Sequence, residues 1–462
     1  MQTAILLAAG EGRRAWPYCG IRQKVTVPVA NEPMVHRLAR QLRDLGVERF
    51  VVVTGHRAGA VRACLADLDN ILFVRQNRLD GPVNAALTGL ENLDEGDHAV
   101  ICCADVVTTS GTLRGFLDGY KSRNRDPLLL TADCPAGLTS SYTAVVAGKD
   151  GLLQDISGRG GHEHLRFGGI AAGRADLLER YLLRNPGIME NVGVGAMPPP
   201  EGDLAYTFKL MREDGLDVHV VHARDFLVDV DKPWHIIEAN RHAARHMTDN
   251  LDKTVVGTGA HVNDAAHVAP DARLVLRPGA YIGPGCRIDG SVILGENARV
   301  AGGAILRHGV VAGANTRCQD YCLVGDGSVL GDHTIIGHCA EFEGVTFEKV
   351  YLYHYCCVTG LVGTHVDIGA ATVSGTWRFD DNVKTHEING RDEIPECFGN
   401  ATFIGDYCRT GVNAMFMPGV KIGYYTCIGP GSIVYDDVPE RTMLLSRQEQ
   451  VQKPWGPEKL GW

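Results

Sequence analysis

From about residue 255 onward the sequence repeats with a period of six. In FIGDYCRTGVNAMFMPGVKIGYYTCIGPGSIV, the positions Ile404, Thr410, Phe416, Ile422, Ile428 and Val434 recur every six residues, and Gly405, Gly411, Gly423 and Gly429 follow four of them. The same spacing joins Leu330, Ile336 and Phe342, and also Val362 and Ile368. A chain with this period stacks short flat strands into a solenoid, each face sending one small or medium apolar side chain inward. The repeat spans residues 255–440 and leaves 441–462 as a C-terminal tail. The charged stretch Arg378 to Phe398, with Pro395 in it, interrupts the repeat and reads as a loop leaving one coil.

Residues 1–248 follow a different rhythm. Ala4 to Leu7, Phe50 to Thr54, Ile71 to Val74, Ala99 to Cys103 and Pro127 to Thr131 are short apolar runs of the kind buried in parallel sheets. Helical stretches separate them. In MVHRLARQLRDLG, Val35, Leu38, Leu42 and Leu45 keep helical spacing and Gly46 supplies a stop. Such alternation predicts a doubly wound α/β domain, whose ligands bind beyond the carboxyl ends of the strands. The linker to the solenoid is expected over Arg241 to Lys253, helical at its start.

Composition excludes several classes of function. A formal charge of −10 leaves no basic surplus for a nucleic acid backbone, so an anionic small molecule must be met by local Arg and Lys. No apolar run approaches the length of a membrane span, and no basic leader precedes the first strand, so a cytoplasmic protein with no membrane partner is expected. The 14 cysteines are scattered without CxxC pairs, as buried thiols rather than zinc ligands.

The stretch LLAAGEGRRA opens the α/β part. The end of an apolar strand, Leu7 and Ala8, runs into a turn with Gly10 and Gly12, where free backbone N–H groups can face a phosphate. A dinucleotide fingerprint would need a helix directly after the turn and an acidic residue about 20 residues further on. Trp16, Pro17, Gly20, Pro28 and Pro33 oppose that helix, and the strand Phe50 to Thr54 ends in Gly55 and His56. The turn therefore reads as a loop for a nucleoside triphosphate. Nucleotidyl transfer also needs fixed cations, a divalent metal and a reader of the base. Arg14 and Lys24 fit the first need. Asp105, ending AVICCAD, with Asp229 and Asp231 in FLVDVDKPW, can form an oxygen-rich magnesium site. Asp231 fits equally well as a cap of the helix starting near Pro233, and Arg13 reads as a solvated surface charge. Gln76, five residues before Gly81, offers an amide suited to a pyrimidine edge, or lies on the surface.

These motifs in this order, LLAAGEGRR, Lys24, Gln76 with Gly81, Ala104-Asp105 and VDVDKPWHIIEAN, resemble the sugar-1-phosphate nucleotidyltransferases. FGNATFIGDYCRTGVNAMFMPGVKIG resembles the left-handed parallel β-helix of the bifunctional members, which pair a uridylyl- or thymidylyltransferase with an amino-sugar acetyltransferase. The resemblance implies Arg14 and Lys24 at the phosphates, Leu7, Ala8, Gly10, Gly12, Gln76 and Gly81 at the nucleotide, and Asp105 and Asp229 at Mg2+. It also implies a homotrimer, with a nucleoside triphosphate and a phosphorylated acceptor as ligands. The sequence departs from the pattern at Arg13, Gln23 and Pro82, where the family has threonine, proline and threonine. Phe167, Gly168, Gly169 and Ile170 stand in place of Asn-Thr-Gly-Ile, and no glutamate appears around Ile156 to Gly158. The phosphate and metal parts are kept and the sugar contacts are not, which leaves the acceptor open.

In the second half the family's catalytic histidine aligns with Tyr353, and His354 is one residue displaced, which turns a side chain to the other side of a strand. The asparagine of that site aligns with Thr376. His354 is thus the only candidate acyltransferase base, and the expectation is that it does not serve. Acetyl-CoA or another acyl-CoA remains a possible ligand, with an assembly scaffold or a catalytically weak regulatory relative as the alternatives.

Overall fold

The computed structural model describes residues 2–134, 142–157, 164–188, 190–192, 195–197 and 202–460. The N-terminal sheet has the order Leu153–Ser157, Ala144–Ala147, Leu165–Arg174, His98–Cys103, Gln2–Ala8, Arg49–Thr54, Ile71–Arg75. Its last four strands are parallel, as expected for a doubly wound α/β domain. Leu165–Arg174 runs against them and also pairs antiparallel with Leu128–Asp133, so the sheet is mixed beyond this point. A helix over Met34–Asp44 buries Val35, Leu38 and Leu42, and Gly46 follows in a left-handed conformation (φ 92°). The segment after the glycine turn holds only two single-turn 3-10 helices, Arg13–Ala15 and Lys24–Thr26. The prolines do prevent a long helix there.

The second half is a parallel β-helix. Coils return to register after eighteen residues, as where Arg299 lies beside Arg317 and Arg317 beside Ile335. All the repeat positions named above point into one interior core, from Leu330 to Val434, with Thr410 replacing an apolar residue. Thr410 is accommodated because its hydroxyl accepts from the Gly369 amide (2.9 Å) and meets the Thr372 hydroxyl (3.2 Å). The interruption at 378–398 is more than a loop. It contains a hairpin, His386–Ile388 against Arg391–Glu393, whose turn residues Asn389 and Gly390 both take positive φ (52° and 76°), as a tight two-residue turn requires.

The two halves share a core. The helix Pro233–Asp249 lies along the β-helix strands Val310–Ala312, Glu341–Thr346 and Cys357–Val362. Trp234, Ile237 and Ala244 from this helix, with Tyr18, Val27 and Met34 from the N-terminal part, pack on Val311, Val345, Phe347, Leu361 and Phe403 of the coils. Asn240, fully buried, accepts from the Ala30 amide (2.8 Å) and donates to the carbonyls of Pro28 (3.2 Å) and Ile236 (2.8 Å). Every polar atom of its carboxamide is therefore engaged inside that core.

Phe347→Ala should destabilise the protein by about 3–5 kcal/mol, the usual cost of a lost buried phenyl ring. Scanning calorimetry should show both halves melting earlier together. An unchanged transition for the N-terminal half would contradict a common core.

Candidate active site

The site is built at the carboxyl end of Gln2–Ala8. Leu7 and Ala8 lead into the turn, and the Leu7 carbonyl accepts from the Ala104 amide (3.2 Å), which sets Asp105 beside it. At Gly10 a Cβ would meet nothing within 4 Å, so that glycine is not demanded by packing. Gly12 is demanded. It is left-handed (φ 68°), and a Cβ there would lie 2.6 Å from Cβ of Lys24. Gln23, which the sequence marks only as a departure, ties the turn to Lys24. Its Nε2 donates to the carbonyls of Ala8 (3.0 Å) and Gly10 (2.9 Å), and its Oε1 accepts from the Val25 amide (2.6 Å).

The cations and carboxylates converge. Lys24 Nζ lies 2.5 Å from Asp105 Oδ2 and 3.6 Å from Asp231 Oδ1, and an Arg14 Nη is 2.9 Å from the same Asp231 oxygen. Asp229 is brought alongside because Leu227–Asp229 pairs antiparallel with Val106–Thr108, with the Val230 amide donating to the Asp105 carbonyl (3.0 Å). Burial works against the Lys24 ammonium, but Asp105, Asp231 and Asp229 outweigh it and raise its pKa. Burial, Asp105 and Asp231 push the Asp229 carboxyl up to about 6. Burial would also raise Asp231, but Lys24 and Arg14 hold it below the ordinary carboxylate range.

Two expectations change. Among the described residues no three His, Cys, Asp or Glu side chains are grouped to hold a metal. Asp231 is a partner of Arg14 and Lys24 rather than a third ligand. Nor does it cap the following helix, whose N-cap is Lys232 with no capping side chain. Arg13 is exposed and pairs with Glu11, as a surface charge would. Gln76 is buried, and its Nε2 reaches Asp80 Oδ1 (3.1 Å) and the Gly81 carbonyl (3.2 Å), fixing the corner before the helix Pro82–Leu90. Pro82 is the first residue of that helix, where a missing N–H costs nothing. Phe167 turns into the apolar layer on one face of the sheet. Of the stretch Ile156 to Gly158, Gly158 lies outside the described residues. His354 sits on an exposed turn of the β-helix, its ring 6.0 Å from that of His338, far in sequence and element from the cations above.

The loop joining Arg14 to Lys24 rests on the β-helix. Tyr18 is buried and donates its hydroxyl to the Leu361 carbonyl (2.6 Å), with its ring edge-on to Phe347 at 5.6 Å. Arg22 forms a two-pronged pair with Asp406 (2.9 and 3.0 Å) and lies over the Phe347 ring at 4.8 Å. Gly20 abuts Tyr424, whose ring leaves no room for a Cβ. The aromatic and basic residues between two candidate phosphate ligands were the available signal for this docking, but a sequence does not say what they face.

With this geometry in view, the comparisons are direct. Residues 4–150 match the MobA-like NTP transferase domain family. The chain is similar along nearly its full length to proteins named bifunctional protein GlmU. That of Methanococcus maripaludis (strain S2) is 24% identical over 454 residues, 97% of this chain and 98% of that one. That of Exiguobacterium sibiricum is 26% identical over 474 residues, 98% of each chain. Among solved structures, a UTP-bound UGPase from Acinetobacter baumannii aligns with a TM-score of 0.44 and 18% identity, over 53% of this chain and 94% of that one. A UDP-glucose pyrophosphorylase complexed with UDP-glucose aligns with a TM-score of 0.45 and 16% identity, over 53% and 99%.

The raised Asp229 carboxyl gives the N-terminal half a pH signature. The folded state holds this proton up to about pH 6, whereas an unfolded aspartate releases it near pH 4, so the ligand-free protein should lose stability as pH rises between these values. Asp229→Asn should remove that slope and gain about 1–3 kcal/mol at pH 7. Denaturant unfolding across this pH range checks it, and a less stable variant at pH 7 would contradict the assignment.

Proposed function

We propose that the protein transfers a nucleotidyl group from a nucleoside triphosphate to a phosphorylated small molecule of the sugar 1-phosphate kind, releasing pyrophosphate. The observation that carries this reading is the convergence of Arg14 and Lys24 on Asp231 and Asp105 beside the glycine turn. Backbone N–H groups of the turn receive the triphosphate, and the two cations offset charge as an acceptor oxygen bonds to the α-phosphorus and the bond to the pyrophosphate oxygen breaks. In the ligand-free site Lys24 neutralises Asp105; with a triphosphate bound, its ammonium has phosphate oxygens to turn to.

The residues present fit a divalent cation. Asp105 and Asp229 are adjacent and mutually repulsive, which with burial raises the Asp229 pKa, and Mg2+ is commonly held by one or two carboxylates together with substrate phosphates. When bound, such an ion stabilises negative charge on the phosphates. Gln76 and Gly81 form the corner nearest the base in this reading. The similarity to the GlmU proteins over nearly the full length supports a nucleotide sugar as product.

For the β-helix, the contacts with the Arg14-to-Lys24 loop favour a scaffold over an acyltransferase, and no acyl-CoA site is assigned to His354. Outward apolar residues Val373, Met415 and Ile433 on successive coils, each about two-fifths exposed, suit a homotrimer. No described helix is long and apolar enough to cross a membrane.

Pyrophosphate release with Mg2+, across the common nucleoside triphosphates and a panel of sugar phosphates, should identify one productive pair. Lys24→Ala and Asp105→Ala should each lower that turnover by roughly a hundredfold or more while the oligomer persists on gel filtration. Undiminished turnover in both variants would sink the site.

A further inference from the structure

We propose that the hydroxyl-bearing part of the acceptor is read in the cleft between the N-terminal half and the β-helix insertion, by Arg166 and Glu238 from one side and Glu396 from the other. This rests on the nucleotidyl-transfer reading and adds the place where the acceptor is distinguished. The cleft, open to solvent, is bounded by Tyr142, Arg166, Asp229 and Glu238 on one wall and by Ile394 and Glu396 on the other. Asp229 belongs both to this cleft and to the proposed metal pair, so the cleft is continuous with the reacting end. The second wall is held in place by an ion pair of 2.5 Å between Glu393 of the hairpin and Lys232, whose side chain is almost fully buried.

Arg166 is the decisive feature. It is 5% exposed, its Nη2 donates to the Leu227 carbonyl (2.8 Å) and its Nε to that of Asp133 (3.3 Å), while its Nη1 has no hydrogen-bond partner. It pairs with no carboxylate among the described residues, and its guanidinium lies 4.4 Å over the Tyr142 ring. A buried donor left unpaired is costly, and because Arg166 lines the cleft, a ligand oxygen that reaches it there would satisfy that nitrogen. Burial raises both Glu238 and Glu396, with Arg166 opposing the rise in each, and both carboxyls present oxygens that accept hydrogen bonds.

Charge narrows the ligand. A second anionic group would face Asp229, Glu238 and Glu396, and a cation would face Arg166 and Lys232. A neutral polyol meets neither objection. Each hydroxyl both donates and accepts, which suits one unpaired N–H opposite two carboxyl groups, and the face of Tyr142 offers a surface for ring C–H groups. The cleft thereby supplies hydroxyl partners that Phe167, turned into the core, does not.

Binding is measured on the full chain, by calorimetry with Mg2+ and a non-hydrolysable triphosphate present, so that no turnover is required. The probes are glucose, galactose and mannose 1-phosphates, with phosphoethanolamine as a phosphate that bears an ammonium in place of hydroxyls. At least one hexose phosphate should bind, and Arg166→Lys and Glu396→Gln should each weaken it tenfold or more with triphosphate affinity within twofold of wild type. Glu396 is exposed, so its variant keeps the test valid if Arg166→Lys unfolds. Hexose phosphate affinity unchanged in the variants, no hexose phosphate binding at all, or preferred binding of phosphoethanolamine would each overturn the proposal. Loss of pyrophosphate release with this binding pattern intact would instead count against nucleotidyl transfer alone.

Discussion

Burial of Tyr18 against the β-helix fixes more of this molecule than any contact within either half. The phenol is fully enclosed, its hydroxyl satisfied by the Leu361 carbonyl and its ring set against Phe347. Four residues on, the Arg22 guanidinium meets Asp406, which is itself buried and also accepts from the Thr364 amide at 2.8 Å. Breaking a buried pair of this kind by removing one partner typically costs about 3–5 kcal/mol, because the other charge is stranded. The segment between Arg14 and Lys24 is therefore not a free loop. It begins and ends at the cluster of Asp105, Asp229 and Asp231 and is pinned at its middle to coils more than three hundred residues away in sequence.

That pinning explains how a chain with so few regular elements near the turn keeps its charges in order. Gly12 lets the backbone pass over Lys24, and Gln23 ties Ala8, Gly10 and Val25 together with one carboxamide. Three carboxylates with two cations form a compact, largely buried cluster, in which the excess negative charge falls on Asp229 and raises its pKa. A ligand bringing phosphates and a divalent ion would redistribute these charges without moving the scaffold, which is what preorganised electrostatics requires.

Much of the architecture is readable from periodicity. The six-residue repeat marks inward positions such as Ile404 and Ile428, because a coil with one inward side chain per face leaves little choice, and the strands Phe50 to Thr54 and Ala99 to Cys103 follow from unbroken apolar runs. The glycine turn with Lys24 and Asp105 was also legible, since strand ends are where an α/β sheet puts chemistry. What escaped depends on long-range packing. Asp231 looked like a metal ligand or a cap, and only the fold reveals that Arg14 and Lys24 occupy it. Arg166 lies in LRFGGI among apolar residues, and nothing in that string says that one of its nitrogens is left unpaired in an interdomain cleft. The hairpin after residue 385 reads as a loop in sequence because its strands are three residues each and its turn, Asn389-Gly390, sits in a charged segment.

The central claim is that the β-helix holds the Arg14-to-Lys24 loop in position for the proposed reaction, and the Arg22 to Asp406 pair tests it most directly. Arg22→Met, Asp406→Leu and the double variant should be compared for triphosphate affinity and for pyrophosphate release, alongside thermal unfolding. The account predicts that each single change lowers turnover by about tenfold or more, and that the double variant is substantially better than the sum of the singles, as coupled residues require. Turnover at wild-type level in folded single variants would show that the loop keeps its place without the β-helix, and the account would fail.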